Sequence, residues 1–88
     1  MISWKDAFII VVGSWDMHFN RNSAELYNIA QDSWSLLPKL NYETWSPGLI
    51  IIEDRYLYKV GGSTNVRIIE RLDLLKINQK WITIKTSN

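Results

Sequence analysis

The segment Asp6-Ala7-Phe8-Ile9-Ile10-Val11-Val12-Gly13-Ser14 is matched 48 positions later by Asp54-Arg55-Tyr56-Leu57-Tyr58-Lys59-Val60-Gly61-Gly62. Two further anchors follow in the same order. Glu25-Leu26-Tyr27-Asn28 is matched by Glu70-Arg71-Leu72-Asp73 at a spacing of 45, and Asp32-Ser33-Trp34-Ser35-Leu36 by Gln79-Lys80-Trp81-Ile82-Thr83 at 47. A drift of two or three positions is what changes of loop length produce in a fixed unit. A chain that repeats at such a period is built of supersecondary units that cover their apolar faces by stacking.

The segments within each unit have strand character. Residues 6–12 and 55–60 are rich in Ile, Val, Phe and Tyr and stop at glycine. Residues 23–29 and 66–75 interleave Leu, Ile and Tyr with Glu, Arg, Asn and Asp, and Lys80-Trp81-Ile82-Thr83-Ile84-Lys85 alternates as a half-buried strand does. Between the units, Ser46-Pro47-Gly48 introduces the apolar run Leu49 to Ile52, which suits a strand covered on both faces. No segment holds a 3.6-residue apolar period over three turns. Ile69, Leu72 and Ile77 could lie on one side of a helix, but the counterpart Tyr27-Asn28-Ile29 sits in strand context, so a strand is predicted over 67–75.

The order of these segments predicts an incomplete first unit over 1–45, with strands near 6–13, 23–29 and 33–37. A complete second unit follows over 46–88, with strands near 48–53, 55–61, 67–75 and 80–85. An innermost strand for the first unit would need residues before Met1. Four short antiparallel strands in about 50 residues is the size of a propeller blade.

The residues themselves resemble the kelch repeat. That family's pattern runs from an apolar strand ending in Gly-Gly, through a polar loop, to a Glu-x-Tyr-Asp strand and then a tryptophan. Tyr56-Leu57-Tyr58-Lys59-Val60-Gly61-Gly62 carries the glycine half, and Glu25-Leu26-Tyr27-Asn28 with Trp34 carries the tyrosine–tryptophan half. The motif positions are Gly13, Ser14, Gly61, Gly62, Tyr27, Leu72, Trp34 and Trp81, with Ser14 in place of a second glycine and Leu72 in place of the tyrosine. The resemblance implies an all-β, partial kelch-type β-propeller, with one three-stranded and one four-stranded antiparallel blade. It also implies a non-catalytic protein-interaction module that binds through blade-end loops, and a tryptophan plate that packs between blades. Trp15-Asp16 follows the glycine instead of ending a third strand, so it is not the signature of a WD-repeat blade.

Composition narrows the chemistry. Ten Lys plus Arg against nine Asp plus Glu give a formal charge of +1, which supplies no electrostatic reason to expect nucleic acid or an anionic membrane as partner. Hydrophobic residues make up 47% of the 88, enough for a core. There is no cysteine, which excludes disulfides, thiolate zinc sites and thiol chemistry. The apolar run Ala7 to Val12 is far short of the ~20 residues a spanning helix needs. A reducing, cytoplasmic location is the default expectation.

Catalysis requires positioned acids, bases or nucleophiles, and the residues offer few. Asp16 and His18 could share one side of an extended segment, but two ligands fall short of a zinc set. Glu53 and Asp54 are adjacent, and Asp54 aligns with Asp6 at a turn, so a turn role is expected in place of paired acid–base work. Glu25 and Glu70 recur, and each is read as a strand residue satisfied by Arg71, Arg67 or backbone amides. No cofactor and no enzymatic activity are expected. A kelch-like propeller enzyme without its catalytic residues, of the galactose-oxidase or sugar-isomerase kind, is the alternative that the resemblance carries.

Binding is the sharper expectation. In an up-and-down unit the loops after the second and fourth strands gather at one end. Those loops hold Trp15, Asp16, His18, Phe19, Asn20 and Arg21, then Tyr42, Glu43 and Trp45, then Thr64, Asn65 and Arg67. Aromatics beside arginine and amides are enriched at protein recognition surfaces. Trp4, Trp15 and Trp45 do not repeat and are open to packing or surface roles. Two blades cannot close a ring, so the chain is expected either to belong to a longer protein or to associate with copies through open faces and edges. A seven-stranded sandwich with its two sheets face to face is the remaining architecture.

Overall fold

A computed structural model describes residues 1–13, 21–45, 47–62 and 68–85. They form eight strands and, among the described residues, no helix: β1 Ile2–Trp4, β2 Phe8–Val12, β3 Ala24–Asn28, β4 Ser33–Leu36, β5 Gly48–Ile52, β6 Tyr56–Val60, β7 Ile68–Asp73 and β8 Ile82–Lys85. Strands β1 to β4 make one antiparallel sheet (sheet I) in chain order, and β5 to β8 make a second (sheet II) in the same order. The strand predicted over 67–75 is observed as β7 over Ile68–Asp73, with residue 67 outside the described residues.

The first unit has four strands where three were expected, because Ile2-Ser3-Trp4 pairs with β2 as its innermost strand. Three residues suffice, since each finds an antiparallel partner, Ile2 with Ile10 and Trp4 with Phe8. The glycine strand β2 is thereby bonded on both sides, by β1 and β3, and is not one of the open edges.

The repeat spacings reappear as sheet register. Ile10 lies opposite Ile2 and Leu26, and its counterpart Tyr58 lies opposite Ile50 and Arg71. Tyr27 pairs with Trp34, and continuing the β7–β8 register places Leu72 opposite Trp81. The turns repeat as well. Lys5-Asp6 and Glu53-Asp54 all have positive φ, and Ala7 N–H and Arg55 N–H close the turns on Trp4 and Ile52 carbonyls. That is the type I′ geometry which matches strand twist. Both acidic residues at the aligned positions therefore serve turns, as expected.

Directly paired residues share a face of an antiparallel sheet, so register and burial together show how the sheets stack. We call the face bearing Trp34 in sheet I, and Trp81 in sheet II, the front. Sheet II turns its front inward through Leu57, Lys59, Glu70, Leu72 and Trp81, all buried. Sheet I meets it with its back, through Trp4, Ile10, Val12 and Ala24, with Leu37 and Leu40 from the segment between the sheets. The stack is thus front to back. The two sheets share one core through unlike faces, with eight strands where the sandwich alternative had seven. The apolar run of β5 fits this reading on one side only: Leu49 and Ile51 pack on the core, while Ile50 and Ile52 stand exposed on the back of sheet II.

Candidate functional site

The expected recognition end is built around Thr44. Leu37 N–H and Leu40 N–H bond to the Ala24 and Asn22 carbonyls, so the segment leaving β4 runs back along the start of β3. Thr44 N–H then donates to the Arg21 carbonyl at 2.8 Å, and Trp45 N–H donates to the Gly62 carbonyl at 3.0 Å. The Thr44 hydroxyl donates to the same Gly62 oxygen at 2.9 Å. Thr44 is fully buried and ties its own segment to Arg21, ahead of β3, and to Gly62, after β6.

Glycine is required on both sides of it. Gly13 and Gly62 have φ of +78° and +73°, and a Cβ at either would lie 2.6 or 2.5 Å from Thr44 side-chain atoms. Gly61, the sequence counterpart of Gly13, also has positive φ, yet among the described residues a Cβ there meets nothing within 4 Å. Register equivalence therefore does not carry over into equal surroundings. In space, the partner of Gly13 across Thr44 is Gly62.

Of the expected contact residues, the structure brings Arg21 and Trp45 together: the guanidinium lies over the indole at 5.5 Å from its centroid, a cation–π pair. Tyr42 is exposed on the same segment. Trp15, Asp16, His18, Phe19, Asn20, Thr64, Asn65 and Arg67 lie outside the described residues, as does Ser14 of the repeat motif. Trp4, open to either role, is buried, and its Nε1 donates to the Asp54 carbonyl at 2.9 Å, tying β1 to the β5–β6 turn.

Below Thr44 the sheets enclose a pair of opposite charges that sequence reasoning placed only in part. Glu70 is completely buried, and its Oε1 accepts the Asn41 N–H at 2.8 Å. The expected backbone amide is thus its partner; of the two expected arginines, Arg71 lies on the back of the sheet and Arg67 lies outside the described residues. Asn41 also donates through Nδ2 to Trp81 O and to Thr83 Oγ1, at 3.2 and 2.9 Å. Lys59 pairs with Glu70 across the strands and is equally buried, and among the described residues neither its Nζ nor Glu70 Oε2 has a hydrogen-bond partner. Burial pushes the Glu70 carboxyl up, against the pull of Asn41 and Lys59, and burial pushes the Lys59 ammonium down, against the pull of Glu70. The recurrence of Glu25 and Glu70 was the one available signal. The buried lysine had none, since its counterpart is Val11.

At the opposite end, the back of sheet II holds a cleft of about 270 Å³ lined by Arg55, Tyr56, Arg71, Asp73 and Lys76 among others. Arg55 forks onto Asp73 at 3.1 and 2.9 Å and so holds that carboxyl below its ordinary value. The Tyr56 ring lies between the Arg55 and Arg71 guanidinium groups, at 4.9 and 5.3 Å. Among the described residues, no group of three His, Asp or Glu converges as metal ligands, and no helix is long and apolar enough to cross a membrane. No family model matches the chain, and no curated protein matches it.

Proposed function

We propose that the chain is a stretch of kelch-type β-propeller and serves as a non-catalytic module that binds a protein partner through its blade-end loops. One observation carries the reading. Thr44 and Trp45 tie the segment after β4 to Arg21, ahead of β3, and to Gly62, after β6, at a single end of two register-equivalent sheets. A packed double sheet whose connecting segments meet at one end is a scaffold on which contact residues can vary without cost to the core. Arg21 stacked on Trp45, with Tyr42 exposed beside them, supplies the arginine and aromatic groups that dominate protein contacts. The near-neutral charge favours a protein over a nucleic acid partner.

Affinity capture from a lysate with three baits tests this: the unaltered chain, a Trp45→Ala, Tyr42→Ala double variant, and a Lys76→Ala, Lys80→Ala double variant at the opposite end. The reading expects proteins retained by the first and third baits to be lost from the second. Retention by the second bait and loss from the third would overturn it.

A further inference from the structure

The two sheets have used a front and a back once, and an equivalent front and back remain open. The front of sheet II, with Trp81 at 3% exposure, is covered by the back of sheet I. The front of sheet I has no sheet over it among the described residues, and there Trp34 and Leu36 are 58% and 80% exposed. On the back of sheet II, Ile50, Val60 and Ile82 are exposed, whereas their counterparts in sheet I are Ile2, buried Val12 and Ser35.

We propose that the back of sheet II receives the front of sheet I from a second copy of this chain, extending the stack head to tail. The new contact is equivalent to the one inside the chain: register-equivalent strands, in the same order, meet the equivalent opposite face. Trp34 of the second copy would take, against sheet II, the place that Trp81 takes against sheet I. Charge is complementary, since Glu25 lies on the open front and Arg71 on the open back. A contact between two unlike faces is heterologous, so each added copy presents again the face it covers. The inference rests on register and burial and not on the loop-binding proposal, so either can fail alone.

Sedimentation velocity on the full 88-residue chain tests it. Mass should rise with concentration, beyond a dimer. Leu36→Glu blocks the front and Ile50→Glu blocks the back. Both sites are exposed, so the fold should survive, as circular dichroism would check, and Trp34→Glu with Ile82→Glu form a second pair. Each variant alone should self-associate at least ~10-fold more weakly, because an unpaired charge would be buried. Mixed one to one, the two variants should form a dimer and nothing larger, since each retains the face the other lacks. A wild-type chain that stays monomeric up to ~1 mM overturns the proposal. So does a mixture that fails to dimerise, or a single variant that still pairs with itself.

Discussion

Trp34 and Trp81 hold the same register position, opposite Tyr27 and Leu72, yet the first is 58% exposed and the second 3%. The cause is one-sided stacking. Trp81 faces sheet I and donates from Nε1 to the Pro38 carbonyl at 2.7 Å, while Trp34 rests against the Tyr27 ring, 4.9 Å away between centroids. Equivalent residues in a two-unit stack thus carry unequal energies. Trp81→Ala should destabilise by about 3–5 kcal/mol, as loss of a buried aromatic does. Trp34→Ala should cost no more than the ~1.5 kcal/mol of an aromatic pair. Urea unfolding of both variants checks the ratio, and similar losses would contradict it.

The three glycines with positive φ separate in the same way. Gly61→Ala should cost only the ~1–2 kcal/mol of a left-handed alanine, because its Cβ meets no atom of the described residues within 4 Å. Gly13→Ala and Gly62→Ala add a collision with Thr44 and should lose a further ~1–3 kcal/mol. Thermal unfolding of the three variants ranks them, and a Gly61 variant that proved the least stable would break the account of the junction.

How much of this could be read from residues alone follows from the same asymmetry. Strands and register were legible because apolar segments, turn residues and the Gly13/Gly61 and Trp34/Trp81 anchors recur. Strand β1 was not, since Ile2-Ser3-Trp4 is too short to show alternation and shares only Ile2 with Ile50-Ile51-Ile52. Which face each sheet buries was also hidden. Val11 and Lys59 are counterparts, but only the lysine lies between sheets, and no local pattern records that. Arg21 and Trp45 meet through the Thr44 hydrogen bonds, a pairing over 24 positions that only the chain's return path creates.

The enclosed charges give a pH signature with opposite signs at its two ends. Glu70 has a folded-state pKa above the ordinary 4.5, so the folded protein holds this proton more tightly than the unfolded chain. Its contribution is complete below about 4.5 and is lost as pH rises through the raised value. Glu70→Gln retains an acceptor for Asn41, and its stability should gain on wild type as pH increases over that window. Lys59 lies below its ordinary 10.5, so its contribution is complete above 10.5 and is lost as pH falls through the lowered value. Wild type should therefore gain on Lys59→Met as pH climbs toward 10.5. Urea titrations across both ranges read the two slopes, and slopes of the opposite sign would refute the burial of the pair.

Turn chemistry offers a stabilising change. Glu53 and Asp54 occupy left-handed positions at φ of 57° and 52°, where Asn-Gly is the favoured pair. Replacing them by Asn and Gly should add about 1 kcal/mol and raise Tm by roughly 4–8 °C in a domain of this size. Differential scanning calorimetry would show it, and a lowered Tm would mean the turn is not of the I′ type.

Front-to-back stacking of two copies of one sheet is tested most directly by nuclear Overhauser contacts from the two indoles. The Trp81 ring should show contacts with Pro38 and Leu40, and the Trp34 ring with Tyr27 but not with Leu57 or Leu72 on the front of sheet II. Contacts between Trp34 and Leu57 or Leu72 would place the two fronts against each other and contradict the stack.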